Sequence, residues 1–126
     1  MKNDAQQIQA RMDVATVLAR RAGETLMSTF GAIESLEMKG EVDLVSEADR
    51  ASERLLVEGL LEAFPEDAIL GEEGGVAGSP EGRFRWVLDP LDGTTNFVHG
   101  LPYFAVSVGL TVGDEPVAGG ILVPPT

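Results

Sequence analysis

Trp86-Val87-Leu88-Asp89-Pro90-Leu91-Asp92-Gly93-Thr94-Thr95-Asn96 is the stretch on which the reading of this chain depends. A short apolar run delivers two aspartates three residues apart, and Gly-Thr-Thr-Asn then opens a short helix. Carboxylates at a strand end, followed at once by a helix N-terminus, suit a divalent cation beside a phosphate. Oxygens hold the hard cation, while the backbone N–H groups and partial positive charge of the helix end favour the anion. Pro90 has no N–H to give a sheet, so the strand is expected to end there. The carbonyl of Leu91 could then turn toward the same ion.

A third acid belongs with these two. Glu72 follows the short strand candidate Ala68-Ile69-Leu70, just as Asp89 follows Val87-Leu88, so Glu72, Asp89 and Asp92 are expected at one edge of a sheet. Oxygen-only ligands favour Mg²⁺. Turn chemistry alone would explain Asp89-Pro90 as a turn starter and Asp92 as a helix cap. For either aspartate by itself that explanation suffices; three acids at matching positions favour the metal. The amides of Gly93, Thr94 and Thr95 would receive the phosphate, although a simple turn also accounts for the glycine.

Further out, Ser46-Glu47-Ala48-Asp49 has the S-x-x-D pattern of a capping box, with a helix following through Leu55, Leu56, Leu60 and Leu61. Asp49 there satisfies backbone donors; alternatively, near the Thr94 hydroxyl, it could accept a proton from an attacking water. Residues 32–45, with Lys39, Gly40 and Asp43, read as a mobile turn leading into a short strand. Before them, Ile8, Met12, Ala15, Leu18, Ala19, Ala22 and Leu26 recur at helical spacing, giving a helix over about 4–29 with Asp4 as its cap and Gly31 as its stop. Phe64-Pro65 ends the second helix. Residues 74–83, rich in Gly, Ser and Pro, are expected to be an exposed loop.

Downstream, Phe104, Val106, Val108, Leu110 and Val112 alternate with Ala105, Ser107, Gly109 and Thr111, which is a strand with one large and one small face. Gly113-Asp114-Glu115 turns the chain, and Pro116 to Val123 returns as another, Gly-containing strand. His99, the single histidine, suits a C-terminal cap contact. Helix, helix and then a run of strands imply an α+β fold, two long helices packed on one face of an antiparallel sheet.

Bulk properties narrow the function classes. The 126 residues amount to one domain's worth of chain, 44% hydrophobic and 24% charged, as in globular proteins that bury a core. No run of eighteen apolar residues spans a membrane, the first residues lack the apolar core of a signal peptide, and there is no cysteine, so a cytoplasmic home is expected. The net charge is −12 and the nine basic residues form no stripe, which argues against a nucleic-acid partner. An acidic chain that handles phosphate must recruit positive charge, and metal ions supply it; an acidic surface kept for solubility is the alternative. No G-x-x-x-x-G-K-[ST] occurs, and no thiol nucleophile exists. The spacing Asp89-Pro-Leu-Asp92-Gly-Thr is one residue too long for the D-x-D-G-T of an aspartyl-phosphate phosphatase.

Gly71-Glu72-Glu73, then Trp86 to Gly100, with Lys39-Gly40 and Asp43 to Asp49 upstream, resemble the inositol monophosphatase family in order and spacing, essentially from end to end. The resemblance implies the layered α/β sandwich shared with fructose-1,6-bisphosphatases. It also implies a lithium-sensitive phosphomonoesterase that uses two or three Mg²⁺ ions and no covalent intermediate. Carried over residue by residue, Glu72, Asp89 and Asp92 become metal ligands with the Leu91 carbonyl, and Asp49 with Thr94 activates the water. Asp92, Gly93, Thr94 and Thr95 face the phosphate, and Lys39 and Asp43 lie on a mobile loop near a further metal.

The implied substrate is a small phosphorylated polyol or sugar, most closely inositol 1-phosphate. Asn96 to Phe104 resembles that branch more than the bisphosphate nucleotidase or histidinol-phosphatase branches. Family members are about twice this length, and their second half carries a W-D-x-A-A-G motif that nothing here matches. Residues 1–126 are therefore expected to form the N-terminal α+β half of an enzyme that is a homodimer when complete.

Overall fold

The computed structural model describes residues 4–33, 38–71, 76–92 and 104–123, with the backbone alone at 30–33, 38–46 and 92. The described elements are helices α1 (Asp4–Ile33) and α2 (Met38–Ala63) and strands β1 (Ala68–Gly71), β2 (Val76–Gly78), β3 (Phe84–Asp92), β4 (Ala105–Val112) and β5 (Glu115–Leu122). The strands form one sheet in the order β2-β1-β3-β4-β5, and both helices lie on one of its faces.

Helical periodicity builds that layer. On α1 the buried stripe is Ala15, Leu18, Ala22 and Leu26, and on α2 it is Ala48, Ser52, Leu56 and Leu60, none more than 7% exposed. The helices run antiparallel: Arg11 of α1 meets Phe64 just past the end of α2, and Leu18 packs where Gly59 leaves room. Beneath them the sheet presents Phe84, Trp86 and Leu88 of β3 with Val106, Val108 and Leu110 of β4, all within one core. The alternation read in β4 holds, with its large side chains toward the helices. The opposite face keeps Leu70, Val76, Val87 and Ile121 exposed.

Six expectations are corrected. Helix α1 runs past Gly31 to Ile33, because an interior glycine costs a helix only about 1 kcal/mol. The mobile turn and short strand expected within 32–45 are absent at 38–45, which belong to α2, and Ser46 to Asp49 lie inside that helix rather than at its cap. A capping box needs its first residue outside the helix, and the helical backbone here begins eight residues before the serine, at Met38. Lys39 and Asp43 thus stand in the first two turns of α2, not on a loop. Within 74–83, Val76–Gly78 form edge strand β2, antiparallel to β1. The sheet is mixed rather than wholly antiparallel, since β1 and β3 are parallel neighbours. Strand β3 does not stop at Pro90 but continues to Asp92 through a bulge.

The exit from β2 depends on Gly78, at φ 72° and paired with Ala68, where an added Cβ would clash with the Asp67 carbonyl oxygen. Ser79 N–H donates to that same carbonyl at 3.0 Å. Gly78→Ala is expected to cost about 2 kcal/mol or more, from the left-handed backbone and the clash together. A lower urea midpoint at unchanged m-value would register it; an unchanged midpoint would contradict it.

At the end of the sheet where β1 and β3 begin, a buried polar knot ties three elements. Asp67, 2% exposed, accepts hydrogen bonds from Arg11 Nε at 2.8 Å, Arg11 Nη2 at 2.7 Å and Trp86 Nε1 at 2.9 Å. The Arg11 guanidinium lies 3.8 Å from the Phe84 ring centroid and 4.5 Å from that of Phe64. Strand β5 forms the far edge of the sheet, and Gly113, at φ 59°, makes the turn into it.

Candidate functional site

The bulge in β3 decides how the two aspartates are presented. Residues three apart in a regular strand belong to opposite faces of the sheet. Here Asp89 pairs with Ser107 and Asp92 pairs with Ala105, so three steps along β3 match two along β4. The extra residue returns the Asp92 position to the face on which Asp89 stands. It also buries Pro90 and Leu91 in succession, with Leu91 3% exposed in the core. Proline causes the irregularity, because it cannot donate to the ladder and is tolerated at bulges.

Around the bulge the contacts are specific. The Leu91 N–H donates to Asp89 Oδ1 at 3.3 Å, a local turn that orients a half-buried carboxylate. The Ser52 hydroxyl of α2, fully buried, donates to the Pro90 carbonyl at 2.9 Å. Asp49 lies three residues earlier on α2, on the neighbouring helical position, and is half-buried. The parallel pairing of β1 with β3 matches Gly71 to Leu88, so the residues before Glu72 and before Asp89 are neighbours at the same end of the sheet.

Glu72, Gly93, Thr94, Thr95 and His99 lie outside the described residues, as do the side chains of Lys39, Asp43 and Asp92. Among the described residues no three of His, Asp and Glu come together to hold a metal. What is described at the bulge is oxygen donors, the Asp89 carboxylate and backbone carbonyls. That chemistry fits a hard cation such as Mg²⁺ and not a soft one.

Two residues of consequence escaped the sequence reading. Ser52 interrupts the apolar stripe Ala48–Leu56–Leu60, and a polar side chain on a buried face needs a partner. Asp67 precedes the apolar Ala68-Ile69, where a carboxylate is costly unless paired. Both signals were available in the sequence, but neither names the partner.

The chain matches the family described as "Inositol monophosphatase family" over residues 7–126. It is 44% identical over 115 residues to a protein of Aquifex aeolicus named fructose-1,6-bisphosphatase/inositol-1-monophosphatase, covering 90% of this chain and 43% of that one. It is 43% identical over 119 residues to an inositol-1-monophosphatase of Rhizobium meliloti, covering 93% and 45% respectively. Among solved structures, the extragenic suppressor protein suhB of Bartonella henselae superposes with a TM-score of 0.80 at 38% identity, over 92% of this chain and 44% of that one. The chain spans less than half the length of these proteins. Among the described residues no helix is long and apolar enough to cross a membrane. The two helices on one face of a five-stranded sheet, the D-P-L-D bulge at its end and these matches agree: the chain belongs to the inositol monophosphatase family.

Proposed function

We propose that this chain is the N-terminal half of a Mg²⁺-dependent phosphomonoesterase acting on a small phosphorylated polyol, inositol 1-phosphate in the first instance. The observation that carries the reading is the bulge that returns the Asp92 position to the face of Asp89, beside the end of parallel strand β1 that leads to Glu72. Glu72, Asp89, Asp92 and the Leu91 carbonyl would hold the cations, two or three in the complete enzyme. When bound, such ions lower the pKa of a water and offset charge on the phosphate and leaving oxygen. Asp49 and Thr94 would orient that water and take its proton, and the Gly93, Thr94 and Thr95 amides would receive the phosphate. Lys39 and Asp43, in the opening turns of α2, would contribute charge near the same end.

The net charge of −12 supports a role for cations in admitting an anionic substrate. The share of the relatives covered, 43% and 45%, supports the reading as half of a catalytic unit. A cytoplasmic setting and a homodimer of the complete enzyme belong to the same proposal. The name of the Aquifex aeolicus relative favours fructose 1,6-bisphosphate as the second substrate to test.

Two measurements on the purified chain test this. Calorimetric titration with Mg²⁺ or Mn²⁺ is expected to give saturable binding. Phosphate release from inositol 1-phosphate is expected to be slight and lost on chelation. Absence of binding would remove the metal site, and robust turnover by the 126-residue chain would overturn its reading as a half.

A further inference from the structure

We propose that Ser52 is a positioning residue for the cation site, setting the shape of the β3 bulge from helix α2. Its hydroxyl is fully buried and donates to the Pro90 carbonyl at 2.9 Å, across 38 residues of sequence. Pro90 lies between the two acids, at the point where β3 leaves its register with β4. A bulge is the least constrained part of a strand, because its extra residue lacks a partner across the ladder. Here the constraint comes from the helix layer instead.

The same contact has a second consequence. Ser52 is one helical turn from Asp49, so the hydrogen bond that holds the bulge also fixes how far the Asp49 end of α2 stands from Asp89. One buried hydroxyl thereby couples the carboxylate proposed to take a proton with the carboxylates proposed to hold the cation. Removing the hydroxyl leaves a buried carbonyl to find another donor, which the bulge can do by shifting. Outer groups that orient metal ligands commonly change affinity by about tenfold or more when lost.

This inference rests on the reading of Asp89 and Asp92 as cation ligands, and the experiment separates the two. Three variants of the full chain are compared with the parent: Ser52→Ala, Ser52→Cys and Leu110→Val. The last is a core truncation toward the other end of the sheet that lowers stability by a similar amount. Mn²⁺ affinity is read by calorimetry, and amide hydrogen exchange at Leu91 is read by NMR in metal-free protein.

Ser52→Ala is expected to bind Mn²⁺ about tenfold more weakly and to exchange the Leu91 amide about tenfold faster. Ser52→Cys, a near-isostere with a weak donor, should fall between it and the parent. Leu110→Val should match the parent in both. If the parent binds Mn²⁺ and Ser52→Ala binds it equally well, the positioning role is wrong. If the parent binds no cation, the metal reading falls, and parent-like exchange at Leu91 in Ser52→Ala would then overturn the role of Ser52 independently.

Discussion

Asp89→Asn is expected to weaken Mn²⁺ binding at least about thirtyfold while leaving the melting temperature within a degree or two of the parent. Asn keeps the Oδ1 acceptor that the Leu91 N–H uses at 3.3 Å, so the local turn survives. What is lost is one unit of negative charge beside a divalent ion. Even at ~4 Å and the dielectric of water that is worth about 2 kcal/mol, and about four times as much at the effective dielectric of a protein surface. The lower figure already gives the thirtyfold change. With a net charge of −12, the chain attracts cations non-specifically, so a control is needed. Asp114→Asn removes the same charge from a fully exposed side chain in the turn after β4, at the opposite end of the sheet. It should bind Mn²⁺ as the parent does. Equal affinities for Asp89→Asn and the parent would exclude Asp89 as a ligand.

The meaning of that aspartate was only half legible in the sequence. Helix α1 and strand β4 declare themselves through period, because each buries one face against a continuous layer. Their cores, Ala15 to Leu26 and Val106 to Leu110, follow from spacing alone. The D-P-L-D spacing, taken locally, gives a strand that stops at proline. The bulge that reunites the two acids depends on the register of β3 with β4, and register is a property of two segments. The start of α2 failed in the opposite way. A local pattern, S-x-x-D, matched a cap, but the helical backbone already begins at Met38, so the serine does not stand outside the helix.

The parallel pairing of β1 with β3 escaped because β2, an excursion of three residues in a Gly-rich stretch, carries too weak an alternation to be read. Ser52 and Asp67 could be flagged as polar residues in apolar surroundings, yet their partners lie 38 and 56 residues away. The roles of Gly93, Thr94, Thr95 and Glu72 rest on family resemblance and on their place in the motif.

Asp67→Ala is expected to cost about 3 to 5 kcal/mol of stability, as much as truncating a large core side chain. The Arg11 side chain is 12% exposed and its partner 3%, so deleting the carboxylate strands a nearly buried guanidinium and removes the acceptor of Trp86 Nε1. Neither donor can turn to water without opening the core between Phe64 and Phe84. Domains of this size hold about 5 to 15 kcal/mol in total, so the variant should melt more than ten degrees lower. Because the pair is shielded from solvent, added salt should change the difference little. The double variant Asp67→Ala/Arg11→Met distinguishes a stranded charge from lost packing. Removing the cation as well should recover part of the loss, giving a coupling of more than about 1 kcal/mol in a double-mutant cycle. Additive losses would mean that Asp67 holds Trp86 and the β1 turn but not Arg11. A loss below about 1 kcal/mol for Asp67→Ala would mean that the three elements are joined by the apolar core alone. Since Trp86 is the single tryptophan, its fluorescence reports the same event, and the emission of the variant should shift to the red as its indole N–H gains water.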